Sequence, residues 1–177
     1  MRVTGEGMAE CFGGDAWRRH LSHEDGQYGA TRFETMNSSL IDLSPLRKAL
    51  ATLVEADRFW AEEPASSPLK PHLRSAVVQS FEFTYELSIR ALRRVLVERS
   101  AAADLIADMS FNDLLRKAAD AGLLADPAAW RAWREMRNTT SHAYDEVKAQ
   151  AVASRAPGLA ADARALLASL ESSLGRA

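Results

Sequence analysis

Pro71-His72-Leu73-Arg74-Ser75-Ala76-Val77-Val78-Gln79-Ser80-Phe81-Glu82-Phe83-Thr84-Tyr85-Glu86-Leu87-Ser88-Ile89-Arg90-Ala91-Leu92-Arg93-Arg94-Val95-Leu96-Val97-Glu98-Arg99-Ser100 runs its whole length after the leading proline without a helix breaker. Pro71 suits a first helical turn, because the N–H it lacks would have no intrahelical acceptor there. The spacing predicts one helix on the order of 40 Å long. Ser75, Gln79, Glu82, Glu86, Arg90 and Arg93 form its polar stripe. Leu73, Val77, Phe81, Tyr85, Leu92 and Val95 line an apolar face, with Phe83, Leu87 and Ala91 beside them. So wide an apolar arc implies burial on more than one side, part of it under a second copy of the chain.

The neighbouring segments carry the same helical period. Upstream, Ser44 is a candidate cap and Pro45 fits the first turn of a helix reaching about Glu62. Leu46, Leu50, Leu53 and Trp60 recur along it, and Glu63 to Pro68 reads as a loop. Downstream, Ser110-Phe111-Asn112-Asp113 is a capping box, and Leu114, Leu115 and Ala118 form an inner face. Gly122 followed by Leu123 reads as a glycine C-cap with its hydrophobic contact. Asp126-Pro127 opens the next helix. A last helical pattern covers about Asp145 to Leu174, with an expected interruption near Pro157-Gly158. No segment sustains a period of two and no repeat is seen. The expectation is therefore an all-α, up-and-down bundle of four to five helices.

Composition agrees. Of 177 residues 47% are hydrophobic and 26% charged, with nine Gly and six Pro, the balance of an ordinary globular helical protein. Residues 1–36 carry four Lys/Arg and six Asp/Glu, so the rest balances at 18 of each. That excludes bulk electrostatic nucleic-acid binding and leaves room only for a local contact. One cysteine, Cys11, excludes an intrachain disulfide and a thiolate cage. No apolar run nears the ~18 residues of a membrane span, and the expected compartment is the cytoplasm. Residues 1–36 read as a flexible N-terminal extension and 37–177 as the helical domain, with Met36 a candidate natural start. His20 and His23, without two further ligands, read as polar tail, so no metal site and no cofactor are expected.

Chemistry concentrates in Arg137-Asn138-Thr139-Thr140-Ser141-His142-Ala143-Tyr144. Trp130 and Trp133 mark the inner face of the Asp126-Pro127 helix, and Arg137 follows them by seven and four residues, on the same side. Arg131 and Arg134 fall on the solvent side. An inward guanidinium needs a partner. Two are open: a carboxylate, Glu82 or Glu86, or a phosphate, whose oxygens match its planar fork. His142 would lie ~140° from Arg137 on an unbroken helix. The Thr139-Thr140-Ser141 run weakens a helix and can end it there, returning the imidazole toward Arg137. Tyr144 is either a packed ring or an exposed phenol. The chain has no glycine-rich phosphate loop, no nucleophile elbow, and no Gly-Ser with spaced aspartates of a nucleotidyltransferase.

Arg137-x4-His142-x-Tyr144, with Asn138 after the arginine, resembles the signature of HepT-type toxins of the HEPN superfamily. Phe81-Glu82-Phe83-Thr84-Tyr85-Glu86-Leu87 is similar to a stretch of HEPN proteins named as nucleotidyltransferase substrate-binding subunits. The resemblance spans about residues 38–174. It implies a HEPN-like bundle that homodimerises and joins two motifs in a composite site. It implies metal-independent RNA cleavage with Arg137, His142 and Asn138 as the catalytic set, and Glu82, Glu86 and Ser141 as supporting candidates. It also implies a cognate minimal nucleotidyltransferase antitoxin, in a type VII-like toxin–antitoxin pair, that adenylylates Tyr144. A non-catalytic nucleotide- or substrate-binding subunit of a two-component nucleotidyltransferase is the alternative, and a scaffold-only helical dimer is a third.

Overall fold

The long helix predicted from Pro71 begins one residue earlier and ends two residues short of Ser100. In the computed structural model, which describes residues 41–100, 103–140 and 145–175, it is the second of six helices. These are α1 (Ser44–Glu62), α2 (Lys70–Glu98), α3 (Ala103–Ala107), α4 (Phe111–Asp120), α5 (Pro127–Thr139) and α6 (Glu146–Leu174). The described residues contain no strand. The helix beyond the expected five is the single turn-and-a-half of α3, too short to carry a sequence period. It is held by Arg93, whose Nη1 donates to the carbonyls of Ile106 and Ala107, both at 2.8 Å. Arg93 thus serves as a C-terminal cap to α3 rather than as part of a solvated stripe.

Packing sets the direction of each long helix. Lys70, at the head of α2, donates to the Trp60 and Glu63 carbonyls at the foot of α1, so α1 and α2 are antiparallel neighbours. Arg74 near the start of α2 reaches Glu146 at the start of α6, so these two run parallel. Arg47 near the start of α1 pairs with Glu171 near the end of α6. Trp130 packs on Tyr85 and the later Trp133 on the earlier Phe81, so α5 descends against α2. The four long helices alternate up and down as expected, with α3 and α4 carrying the chain between α2 and α5. The core is Leu46, Leu53, Val77, Phe81, Leu92, Val95, Leu114, Leu115, Leu159 and Leu170, nearly all fully buried.

The helix boundaries follow local chemistry, with two corrections. Ser44 is not the cap of α1; it is the first helical residue, and its N–H and hydroxyl donate to the Asp42 carboxylate at 2.8 and 3.0 Å. The backbone bond from Ser44 holds the Asp42 carboxyl below the usual carboxylate range. The second correction concerns α6, which is not interrupted at Pro157-Gly158 but runs through both. An internal proline costs about 3 kcal/mol. Ala153, Ala156, Leu159, Ala160 and Ala163 are buried around it, so packing overrides the local break. Gly158 has its own reason: a Cβ there would lie 2.9 Å from Cη2 of Trp133. Elsewhere the reading holds. Ser110 Oγ accepts from Asp113 N–H at 3.3 Å. Gly122 takes φ +70°, and the Leu123 N–H donates to the Ala118 carbonyl at 2.9 Å, a Schellman close.

The broad apolar arc of α2 is covered unevenly within one chain. Phe81 and Ala91 are buried, but Phe83 is 53% exposed. None of the described helices is long and apolar enough to cross a membrane. The expected boundary at 36/37, the His20 and His23 pair and Cys11 lie outside the described residues.

Candidate functional site

The site is built on α5, and α5 is fixed before its arginine is reached. Asp126 accepts from the N–H groups of Ala128 and Ala129, at 2.8 and 3.2 Å, closing the N-terminus that Pro127 begins. Trp133 meets Phe81 edge to face, centroids 6.2 Å apart. Its indole N–H donates to Asp162 of α6 at 2.7 Å. Two rings and one hydrogen bond therefore set the rotation of α5 about its axis.

Four residues after Trp133, Arg137 faces α2 as the spacing requires. Its Nε donates to Glu86 Oε1 at 3.1 Å, and Nη2 donates to the same oxygen. Of the two carboxylates that the sequence offers it, Glu86 is the one it meets. This bond, with the adjoining negative charges, raises the guanidinium pKa above its ordinary value. The two side chains remain 41% and 40% exposed, so the cation is oriented without being sealed off. Tyr85, beside this pair, is pushed up to about 12 by burial of its phenol.

One turn nearer the start of α2, Glu82 Oε1 receives the hydroxyl hydrogen of Thr140, whose oxygen also lies near the Arg137 carbonyl. Glu82 and Glu86 thus hold successive groups at the end of α5. The helix itself stops at Thr139, inside the Thr139-Thr140-Ser141 run. Beside this corner opens a groove of about 290 Å3 between α2, the end of α5 and the start of α6. Val78, Ala149 and Val152 supply its apolar wall, and Gln79, Glu82 and Thr140 its polar one. α6 restarts at Asp145, which accepts from Val147 and Lys148 N–H at 3.1 and 3.2 Å. The backbone bond from Lys148 holds that carboxyl below the usual range.

The structure joins Arg137 to Glu86, and Glu82 to Thr140, in one patch. Asn138 is the next residue of α5 and is exposed there. Ser141, His142 and Tyr144 lie outside the described residues, in the link between Thr140 and Asp145. Thr140 and Asp162 were not read from the sequence as site or anchor residues. Thr140 was accessible, since it follows Arg137 by three and so shares its face. Asp162 was not, since no local pattern pairs it with an indole 29 positions away. Among the described residues no three His, Cys, Asp or Glu side chains gather in a metal-binding group.

Comparison with known proteins agrees with this architecture. Residues 41–172 match the family model described as nucleotidyltransferase substrate binding protein like. A Haemophilus influenzae protein named probable ribonuclease HepT is 35% identical over 119 residues, covering 67% of this chain and 81% of that protein. A solved structure from the same organism, described as revealing the fold of a substrate binding domain of a nucleotidyltransferase, superposes with a TM-score of 0.66. It is 32% identical and covers 73% of this chain and 99% of its own.

Proposed function

The chain belongs to the nucleotidyltransferase substrate binding protein like family, and from that premise we propose that it is a HepT-like ribonuclease acting without a metal ion. The observation that carries the reading is the Arg137–Glu86 pair: a rotationally fixed, half-exposed guanidinium five residues before His142. The name of the 35% identical relative supports it.

The reaction is a transesterification. The ribose 2′-oxygen attacks phosphorus, the new P–O2′ bond forms, and the P–O5′ bond breaks. A base removes the 2′-OH proton and an acid delivers one to O5′, roles that suit imidazole near neutral pH. Each chain offers one motif histidine, so two His142 side chains in a homodimer supply both. Arg137 carries the added negative charge of the phosphorane-like transition state. Glu86 holds the guanidinium in place, and Asn138 binds phosphate or orients His142.

The off-switch in this reading is Tyr144. A partner nucleotidyltransferase adenylylates its hydroxyl, placing bulk and negative charge where RNA must enter. The second reading, a non-catalytic substrate-binding subunit, is favoured by the description of the superposed structure. Total RNA incubated in EDTA with wild type, His142→Ala and Arg137→Ala separates them. Cleavage by wild type alone supports the ribonuclease, and equal behaviour of all three supports the binding subunit. Mass spectrometry after co-expression with a cognate nucleotidyltransferase should find AMP on the wild type and none on Tyr144→Phe.

A further inference from the structure

The groove beside Arg137 differs from the arginine in what it can hold. Its described lining contains one charged side chain, Glu82, and no Lys, Arg or His. The described walls therefore set a carboxylate, and no cation, against a phosphate. Its apolar wall of Val78, Ala149 and Val152 accepts a flat ring, and its polar wall sets the acceptors of Glu82 and Thr140 beside the Gln79 amide, which both donates and accepts. Thr140 spends its one hydroxyl hydrogen within the corner, on Glu82 or the Arg137 carbonyl, so toward a ligand it acts as an acceptor. Glu82 accepts as well, through its second oxygen and the remaining lone pairs of the one bonded to Thr140. The volume, about 290 Å3, is at the small end of ligand clefts and suits a single base or nucleoside.

We propose that this groove is a nucleobase subsite that selects a base with a row of N–H donors, guanine above all, and that Glu82 is its specificity-determining residue. Guanine presents N1–H and the N2 amine side by side, matching the two oxygens of a carboxylate. Uracil presents one N–H between two carbonyls, which face Glu82 unfavourably. Adenine and cytosine, each with one amine, fall between. Glu82 and Glu86 stand one turn apart on α2, roughly 5–6 Å between their Cβ atoms. A base against Glu82 therefore leaves its own nucleotide's phosphate within reach of the Arg137 that Glu86 holds. This deepens the ribonuclease reading and rests on it for the role of Arg137.

The test is calorimetric titration of the full chain with GMP, AMP, CMP and UMP in turn, which requires no cleavage. The expected result is GMP binding roughly tenfold or more tightly than UMP. Glu82→Gln keeps an oxygen for Thr140 but sets an N–H against the guanine donors, and should bring GMP and UMP within about twofold. Val78→Trp should fill the groove and abolish the base preference, with helicity and melting temperature checking the fold of both variants. Equal affinity for the four nucleotides, or a GMP preference that survives Glu82→Gln in a folded protein, overturns the proposal. A GMP preference in a protein that cleaves no RNA leaves the subsite standing and removes the ribonuclease. Cleavage without any base preference does the reverse.

Discussion

Arg137 of α5 and Glu86 of α2 meet through one carboxylate oxygen, which receives both Nε, at 3.1 Å, and Nη2. Both groups stay about 40% exposed. An exposed ion pair of this kind contributes at most about 1 kcal/mol to stability. Arg137→Ala should therefore melt within a few degrees of wild type. In a ribonuclease it should nonetheless lose about 10²–10³-fold in cleavage rate, the usual cost of removing a positioned donor to the transition state. Glu86→Gln keeps an acceptor and should retain more activity than Glu86→Ala. Side-by-side thermal melts and initial rates check this.

Gly158→Ala should destabilise the fold although alanine favours a helix by about 1 kcal/mol. The added methyl would stand 2.9 Å from a Trp133 ring that Asp162 holds in place. Overpacking of this kind costs about 1–3 kcal/mol. In a Trp133→Phe background the obstructing edge is gone, and the same Gly158→Ala change should become stabilising. Urea denaturation of the four-member cycle reads the change of sign.

Pro157 is exposed within the continuous α6. Pro157→Ala restores a donor to the Ala153 carbonyl and removes a ring from the helix interior. It should raise stability by about 1–3 kcal/mol. A loss of stability would show that the proline ring makes packing contacts that outweigh the restored bond.

The phenol of Tyr85 is pushed up to about 12 by burial, against an ordinary value near 10. A raised folded pKa means that the unfolded chain ionises first. The contribution of Tyr85 is thus full below pH ~10 and is lost as pH rises through about 12. Tyr85→Phe should flatten the alkaline loss of stability in that window, and absorbance at the tyrosinate band should show one phenol titrating late.

Much of this arrangement was legible because its causes are local. The cap at Asp126-Pro127, the box from Ser110 to Asp113 and the Gly122 close are short-range hydrogen-bond patterns, and each stands where the sequence placed it. The direction of Arg137 followed from its spacing to Trp130 and Trp133. Pro157-Gly158 misled because a local helix breaker was outweighed by tertiary burial and by a tryptophan 25 positions earlier. Ser44 misled because Asp42, two residues upstream, is the better acceptor. The choice between Glu82 and Glu86 for Arg137 could not be made from spacing, since both lie on one stripe of α2. The groove beside Thr140 joins α2 to the corner between α5 and α6, far along the chain, and no linear pattern encodes it.

Arg137 and His142 are the heart of the proposed metal-independent ribonuclease site. Its most direct test is the initial rate of cleavage of a labelled RNA in excess EDTA, by wild type and by His142→Ala matched for melting temperature. Wild type should leave 2′,3′-cyclic phosphate ends, and the variant should cleave at least about 10²-fold more slowly. An unchanged rate in the variant, or no cleavage by either, contradicts it.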